Sequence, residues 1–280
     1  MLKRLVLTMI FTGAASLGAQ DQGQYATVNG LRMYYELHGP ASASPPLVLL
    51  HGGVVGITMF GPNLPALAEH RRVIAVELQG HGHTADIDRP LRCEFMADDI
   101  AALLKQLGIA RADVLGYSLG ACVALQVVIR HPELVHRLVL VSTSARRSGY
   151  FPEVLAAFDH MGPEAGAQMK QSPLATMYPN VNWTTLFAKL GDLLRQNYDW
   201  TADVAKITAP VMLVYADADA ITPAHIMEFW GLVGGGKRDA GLDGSGRPPG
   251  RLAIVPGTTH YNILGTDAVA RLVTPFLDQP

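Results

Sequence analysis

The strongest constraint on this chain is a rhythm of short, wholly apolar runs separated by segments with helical spacing. The runs fall at residues 47–50, 73–77, 114–115, 138–142, 211–215 and 252–255, each with turn residues beside it. Between most of them lie segments such as 96–107, where Met96, Ile100, Leu103, Leu104 and Leu107 recur at helical intervals. Strands that are apolar on both faces need cover on both faces, and a parallel sheet flanked by helices supplies it. The predicted fold class is therefore α/β, a mostly parallel eight-stranded sheet with helices on both sides. Residues 25–28 and 31–37 flank Asn29-Gly30, a pair that favours a two-residue hairpin, so an antiparallel hairpin is expected at the N-terminal edge.

Two intervals break the rhythm. Residues 143–209 hold no strand-like run, only helical stretches punctuated by Gly162-Pro163, Pro173 and Pro179, and they are rich in large apolar side chains. They are read as a helical cap inserted between two strands, leaving 24–142 and 210–280 as the core. Residues 231–250 are dense in Gly and Pro without apolar period, which predicts a surface loop. The connection from a strand end near Asp219 back to the run at 252–255 places this loop on the face away from the strand ends that carry the chemistry.

Composition narrows the function classes. Hydrophobic residues make up 49% and charged residues 16%, which excludes a disordered chain. With 22 basic against 24 acidic side chains there is no footprint for nucleic acid; Arg71-Arg72 and Arg146-Arg147 stand isolated. Residues 1–20 read as a signal peptide. Lys3 and Arg4 precede an apolar run from Leu5 to Phe11, followed by small residues from Gly13 to Ala19, with cleavage after Ala15 or Ala19. Asp21 arrives too early for a span of about 20 apolar residues, so export to the periplasm or outside is expected, without stable membrane insertion. Cys93 and Cys122 have neither metal nor redox spacing, and both are read as structural, with Cys122 a free thiol in a buried helix.

The chemistry gathers at strand ends. Gly116-Tyr117-Ser118-Leu119-Gly120 follows an apolar run and opens an apolar helix, the strand–turn–helix context that G-x-S-x-G requires. The tight turn leaves the Ser118 hydroxyl projecting as a nucleophile, and the helix start aims backbone N–H groups at a developing oxyanion. Serine needs a base. His260 follows the run at 252–255 in a loop that can reach the serine. The histidine needs a carboxylate, and both Asp217 and Asp219 follow the run at 211–215. The order Ser, Asp, His is that of the elbow motif.

With these motifs the chain resembles the α/β-hydrolase fold family over nearly everything after residue 24. The resemblance implies an acid four residues before a proline in G-x-x-D-x-x-x-P, which Asp219 and Pro223 match and Asp217 does not; Ala216 replaces the usual glycine. The family's Pro-Gly-x-x-His falls on Pro256, Gly257 and His260. The implied triad is Ser118, Asp219 and His260. His51-Gly52-Gly53 resembles the family's His-Gly-x turn, so the oxyanion donors are expected to be the backbone N–H groups of Gly53 and Leu119, with His51 organising the turn. Gln79-Gly80-His81-Gly82-His83-Thr84 resembles the family's Gly-x-Gly turn; two histidines fall short of the three or four ligands zinc needs, so no metal and no cofactor is predicted.

Serine at the elbow argues against the haloalkane dehalogenases and epoxide hydrolases of this fold, which carry aspartate there. Iminopeptidase-like relatives would use cap acids such as Glu153, Asp159 or Glu164, which nothing singles out. The expected activity is hydrolysis of a carboxylic ester or lactone of a small to medium apolar molecule. Pocket walls are expected from Val54, Met59, Phe60, Tyr150 and Trp183. A C–C bond hydrolase or a haloperoxidase-like perhydrolase would use the same residues, and a non-catalytic ligand receptor is the alternative of another class.

Overall fold

The computed structural model describes residues 23–279. The signal-peptide reading lies outside these residues. β1 (Gln24–Val28) and β2 (Leu31–His38) form the expected antiparallel hairpin. Asn29 and Gly30 both take left-handed backbone, with φ of 47° and 81°, as a two-residue turn between twisted strands requires.

Then follow β3 (Leu47–Leu50), α1 (Asn63–Ala68), β4 (Val73–Val76), α2 (Cys93–Gln106), β5 (Ala112–Tyr117), α3 (Leu119–Arg130) and β6 (Val135–Val141). β7 (Val211–Ala218), α9 (Pro223–Leu232), β8 (Arg251–Thr259) and α10 (Ala268–Leu277) complete the sheet and its cover. Between β6 and β7 the chain runs through α4 (Pro152–Asp159), α5 (Pro163–Met169), α6 (Pro173–Met177), α7 (Trp183–Leu194) and α8 (Thr201–Val204). The strand order is β1-β2-β4-β3-β5-β6-β7-β8, with β2 antiparallel to β4 and every later pairing parallel. β3, β4 and β5 are buried along their whole length, the reason their sequences read as unbroken apolar runs.

Two apolar layers sandwich the sheet. On one side lie α2 and α3, with Ile100, Leu103, Val123 and Val127 in the core. On the other, α1 and α10 bury Leu67, Val273 and Phe276. α7 turns Trp183, Leu186, Phe187, Leu190 and Leu193 inward, one stripe of an amphipathic helix. Lys189, on its polar side, reaches Asp86 Oδ2 at 2.6 Å and the carbonyls of Ile87 and Arg89 at 2.7 and 2.9 Å, fastening this helix to the loop after β4.

The cysteines depart from the sequence reading. Cys93, at the start of α2, and Cys122, inside α3, are joined in a disulfide with Cα atoms 5.9 Å apart. Nothing in their 29-residue separation announces the pairing. The packing of α2 against α3 on the same face of the sheet creates it. The Gly-rich segment enters β8 at Arg251, which pairs with Met212, at the end of the sheet opposite Ala218 and Thr259. It therefore lies away from His260, as expected from the connection.

Candidate functional site

The strand order reverses direction around β3, so the ends of β3 and β5 lie side by side, with Leu50 paired to Gly116. Such a reversal leaves a crevice at the carboxyl ends of the strands. The turn after β3 and the elbow after β5 meet there.

The elbow is as tight as the sequence implied. Ser118 sits at φ 51°, ψ −113°, a conformation that costs an L-residue energy and is held by the strand and helix on either side. A Cβ on Gly116 would lie 2.1 Å from the Gly120 carbonyl oxygen, and one on Gly120 would lie 2.0 Å from that of Leu50. Both glycines are thus fixed by backbone contacts that cannot give way.

From this turn a row of hydrogen bonds crosses three strand ends. Ser118 Oγ lies 3.1 Å from His260 Nε2, and His260 Nδ1 lies 3.0 Å from Asp219 Oδ1. Asp219 is almost wholly buried, and it accepts three further bonds: from Ser142 Oγ at 2.6 Å, Ala216 N at 2.9 Å and Ala220 N at 2.7 Å. Burial is the largest single influence on this carboxyl and pushes it up. The hydrogen bond and charge of His260, with the bonds from Ser142 and Ala216, together outweigh burial and hold the group below the usual carboxylate range.

The second aspartate does a different job. Asp217 is exposed and accepts from Gly257 N at 2.8 Å and Thr258 N at 3.1 Å, fixing the loop that leads into His260. The two acids that position alone left open are separated by geometry, one meeting the His260 imidazole and the other the backbone of Gly257 and Thr258 upstream of it.

Gly53 and Leu119 come together as well. A methyl placed at Gly53 would sit 3.8 Å from a Leu190 methyl and 3.9 Å from a Leu119 methyl, so Gly53 lies against the side chains of Leu119 and of Leu190 in α7. Leu119 is the first residue of α3, where N–H groups have no partner within the helix. Val54, next in line, is held at φ 79°, an outlier for a β-branched residue. His51 is fully buried with both ring nitrogens engaged. Leu78 N donates to Nε2 at 3.1 Å, so Nδ1 carries the proton and donates to the Gly52 carbonyl at 2.6 Å. Burial, with the nearby His81, pushes His51 down to about 3. It is a neutral brace for the turn between β3 and the elbow.

In the turn after β4, the His81 ring nitrogen Nδ1 lies 2.9 Å from the Gln79 carbonyl, and His83 pairs with Glu77 Oε2 at 3.0 Å. Glu77 also accepts from Ile57 N at 3.3 Å and His83 N at 2.5 Å, tying two loops together from a buried position. Among the described residues no group of three or more His, Cys, Asp or Glu side chains is arranged to hold a metal.

The expected pocket residues divide. Met59 lies against Gly52 beside the elbow: its sulfur is 3.0 Å from where a Gly52 Cβ would stand. Tyr150 pairs through its backbone with Ile221 in the loop after Asp219, and its ring packs edge-on against Phe158. Phe60 is a correction: it is fully buried in the layer of α1 and α10 and walls no pocket. Trp183 is buried at the start of α7, where Gly166 of α5 packs on its backbone, so it serves the interior of the helical segment. Sequence reasoning missed Ser142 and Glu77. The signal for Ser142 was its place as the polar end of an apolar run next to the strand that bears the acid.

A strand–elbow–helix with serine at its tip, faced by a histidine–aspartate pair from two further strands, is the arrangement of a hydrolase. The chain belongs to the α/β-hydrolase family: residues 45–175 match the model described as alpha/beta hydrolase fold. It is 33% identical over 223 residues, 71% of this chain and 84% of the relative, to the pimeloyl-[acyl-carrier protein] methyl ester esterase of Neisseria meningitidis. A shorter match, 30% over 112 residues, takes in 39% of this chain and 43% of the RutD protein of Agrobacterium fabrum. Among solved structures, the enol-lactonase of Burkholderia xenovorans superposes with a TM-score of 0.72 at 25% identity, over 91% of this chain and all of that one.

Proposed function

We propose that this chain is a serine hydrolase that opens a carboxylic ester or lactone of a small to medium, apolar substrate through an acyl-enzyme. The observation that carries the reading is the unbroken row from Ser118 Oγ to His260 Nε2 at 3.1 Å and from His260 Nδ1 to Asp219 at 3.0 Å. A base must stand within hydrogen-bond reach of the proton it takes, and both steps of this row meet that condition.

In this reading Ser118 Oγ attacks the carbonyl carbon as His260 Nε2 takes its proton. Asp219 keeps the imidazole oriented, with Nδ1 protonated, and stabilises the cation. The negative charge on the carbonyl oxygen is met by the N–H groups of Gly53 and Leu119. Collapse expels the alcohol, which takes the proton from His260; in a lactone it stays tethered to the acyl group. Water, activated by His260, then attacks the acyl-enzyme and frees the acid and Ser118.

The surroundings favour an apolar substrate. Leu119, Leu190 and Met59 border the corner at Gly52 and Gly53, and the nearby cation Lys189 is engaged with Asp86 and two carbonyls. The ester-cleaving and lactone-cleaving relatives support both halves of the substrate class. Export is proposed with it, since a Cys93–Cys122 disulfide suits an oxidising compartment.

The test is turnover of p-nitrophenyl esters of graded acyl length, with lactones and amides alongside. Hydrolysis of short or medium esters or of lactones, well above that of amides, is the expected result. Saturable binding of these compounds without turnover would instead mark a ligand receptor.

A further inference from the structure

One hydroxyl reaches from the elbow strand to the histidine loop. Tyr117 is the last residue of β5, immediately before Ser118, and its side chain is buried. Its ring lies on Gly52: a Cβ there would stand 2.8 Å from both ring carbons Cδ1 and Cε1. The ring also faces the His260 imidazole, with centroids 5.6 Å apart and planes tilted by 35°. Its hydroxyl donates to the backbone carbonyl oxygen of His260 itself.

We propose that Tyr117 is a positioning residue that sets the distance between Ser118 and His260, holding the base through its backbone from the residue next to the nucleophile. The inference rests on the roles proposed above for Ser118 and His260. Asp217 and Asn262 also brace this loop, but they bond Gly257, Thr258 and Thr259, upstream of the imidazole. Tyr117 acts at the residue that moves the proton. Because it is bonded directly to Ser118, anchor and nucleophile move together. Any shift of β5 carries the base with it.

The geometry gives this bond leverage. At 3.1 Å the Ser118–His260 contact is near the upper end of the range for proton transfer, so slackening the loop by a fraction of an ångström takes it out of reach. Burial and the charge of Asp219 push the Tyr117 hydroxyl up, so it remains a neutral donor at any working pH. The same ring, resting on Gly52, buttresses the turn that presents Gly53.

Tyr117→Phe removes one oxygen and leaves the ring in place against Gly52 and the imidazole. For an ester turned over by the wild type, kcat should fall about ten- to hundredfold, the order expected when a reacting group is displaced by up to ~1 Å. KM should stay within about twofold, because the substrate-facing surface is unchanged. In proton NMR, the downfield resonance of the His260 Nδ1–H bonded to Asp219 should broaden or shift. A Tyr117→Phe protein with wild-type kcat and an unmoved resonance overturns the proposal. So does one with lowered Tm but wild-type kcat, which would assign the hydroxyl to packing alone. A wild type that turns over nothing overturns the reading of Ser118, and the resonance then still decides whether Tyr117 holds His260.

Discussion

The Ser142 hydroxyl donates a 2.6 Å hydrogen bond to Asp219 Oδ2, from the end of β6 to the loop after β7. Ser142 is fully buried and takes φ 53°, a conformation that non-glycine residues seldom adopt. Its backbone N–H bonds the Val214 carbonyl at 2.9 Å, so the residue is locked to the strand that carries the acid. A strained residue whose side chain spends its one proton on the acid is a support for that acid.

Ser142→Ala should lower kcat about tenfold, the order of one hydrogen bond to a charged group. Its loss also lifts one of the influences holding the Asp219 carboxyl down. Activity should therefore fail at a higher pH on the acid side than in the wild type. A pH–rate profile checks both effects; an unchanged acid limb would remove Ser142 from the account.

Asp219→Asn should reduce turnover by orders of magnitude, because the amide cannot hold the imidazole in the required tautomer or balance its charge. Asp217→Asn should cost far less, since it loosens only the bonds to Gly257 and Thr258. Steady-state kinetics of the two variants rank them. The reverse order would contradict the division of roles.

Much of this site can be read from the chain, and the unread parts share a cause. β3, β4 and the elbow are legible because a strand buried on both faces must be apolar throughout, and a strand-to-helix turn this sharp must have glycine where backbones touch. The acid was open between Asp217 and Asp219 on position alone. Two residues apart around the end of β7, they differ in burial and in which neighbour they meet, and both differences come from the elements packed beside them. Ser142, Tyr117 and the Cys93–Cys122 bond depend on which strand or helix lies beside which. Local sequence carries apolar pattern and turn chemistry, not neighbours, and Phe60 was misplaced for the same reason.

The disulfide closes a loop of 29 residues between α2 and the helix that follows Ser118. Cross-linking a loop of that length removes about 3–4 kcal/mol of chain entropy from the unfolded state in the loop-closure account. Urea unfolding of the oxidised protein should accordingly show greater stability than the Cys93→Ala/Cys122→Ala variant by roughly that amount. Equal stabilities would mean that the bond constrains nothing the fold does not already hold.

His51 and His81 are fully buried, and burial pushes them down to about 3 and about 4. Below about pH 6.5 the unfolded chain binds protons that the folded chain refuses until those values are reached. Stability should therefore fall as pH drops through this window, by about 1.4 kcal/mol per pH unit for each histidine. Urea unfolding between pH 7 and pH 5 should give a shallower decline for His81→Asn than for the wild type. Parallel declines would contradict the assignment of His81 as a buried neutral group.

The central claim is that Ser118 is a nucleophile activated by His260. The most direct measurement is the intact mass of the folded protein after reaction with a fluorophosphonate. One adduct on the wild type, mapped to Ser118, greatly slowed in His260→Ala and absent in Ser118→Ala, is the predicted result. A folded wild type that stays unlabelled, or a Ser118→Ala protein labelled at the wild-type rate, would contradict it.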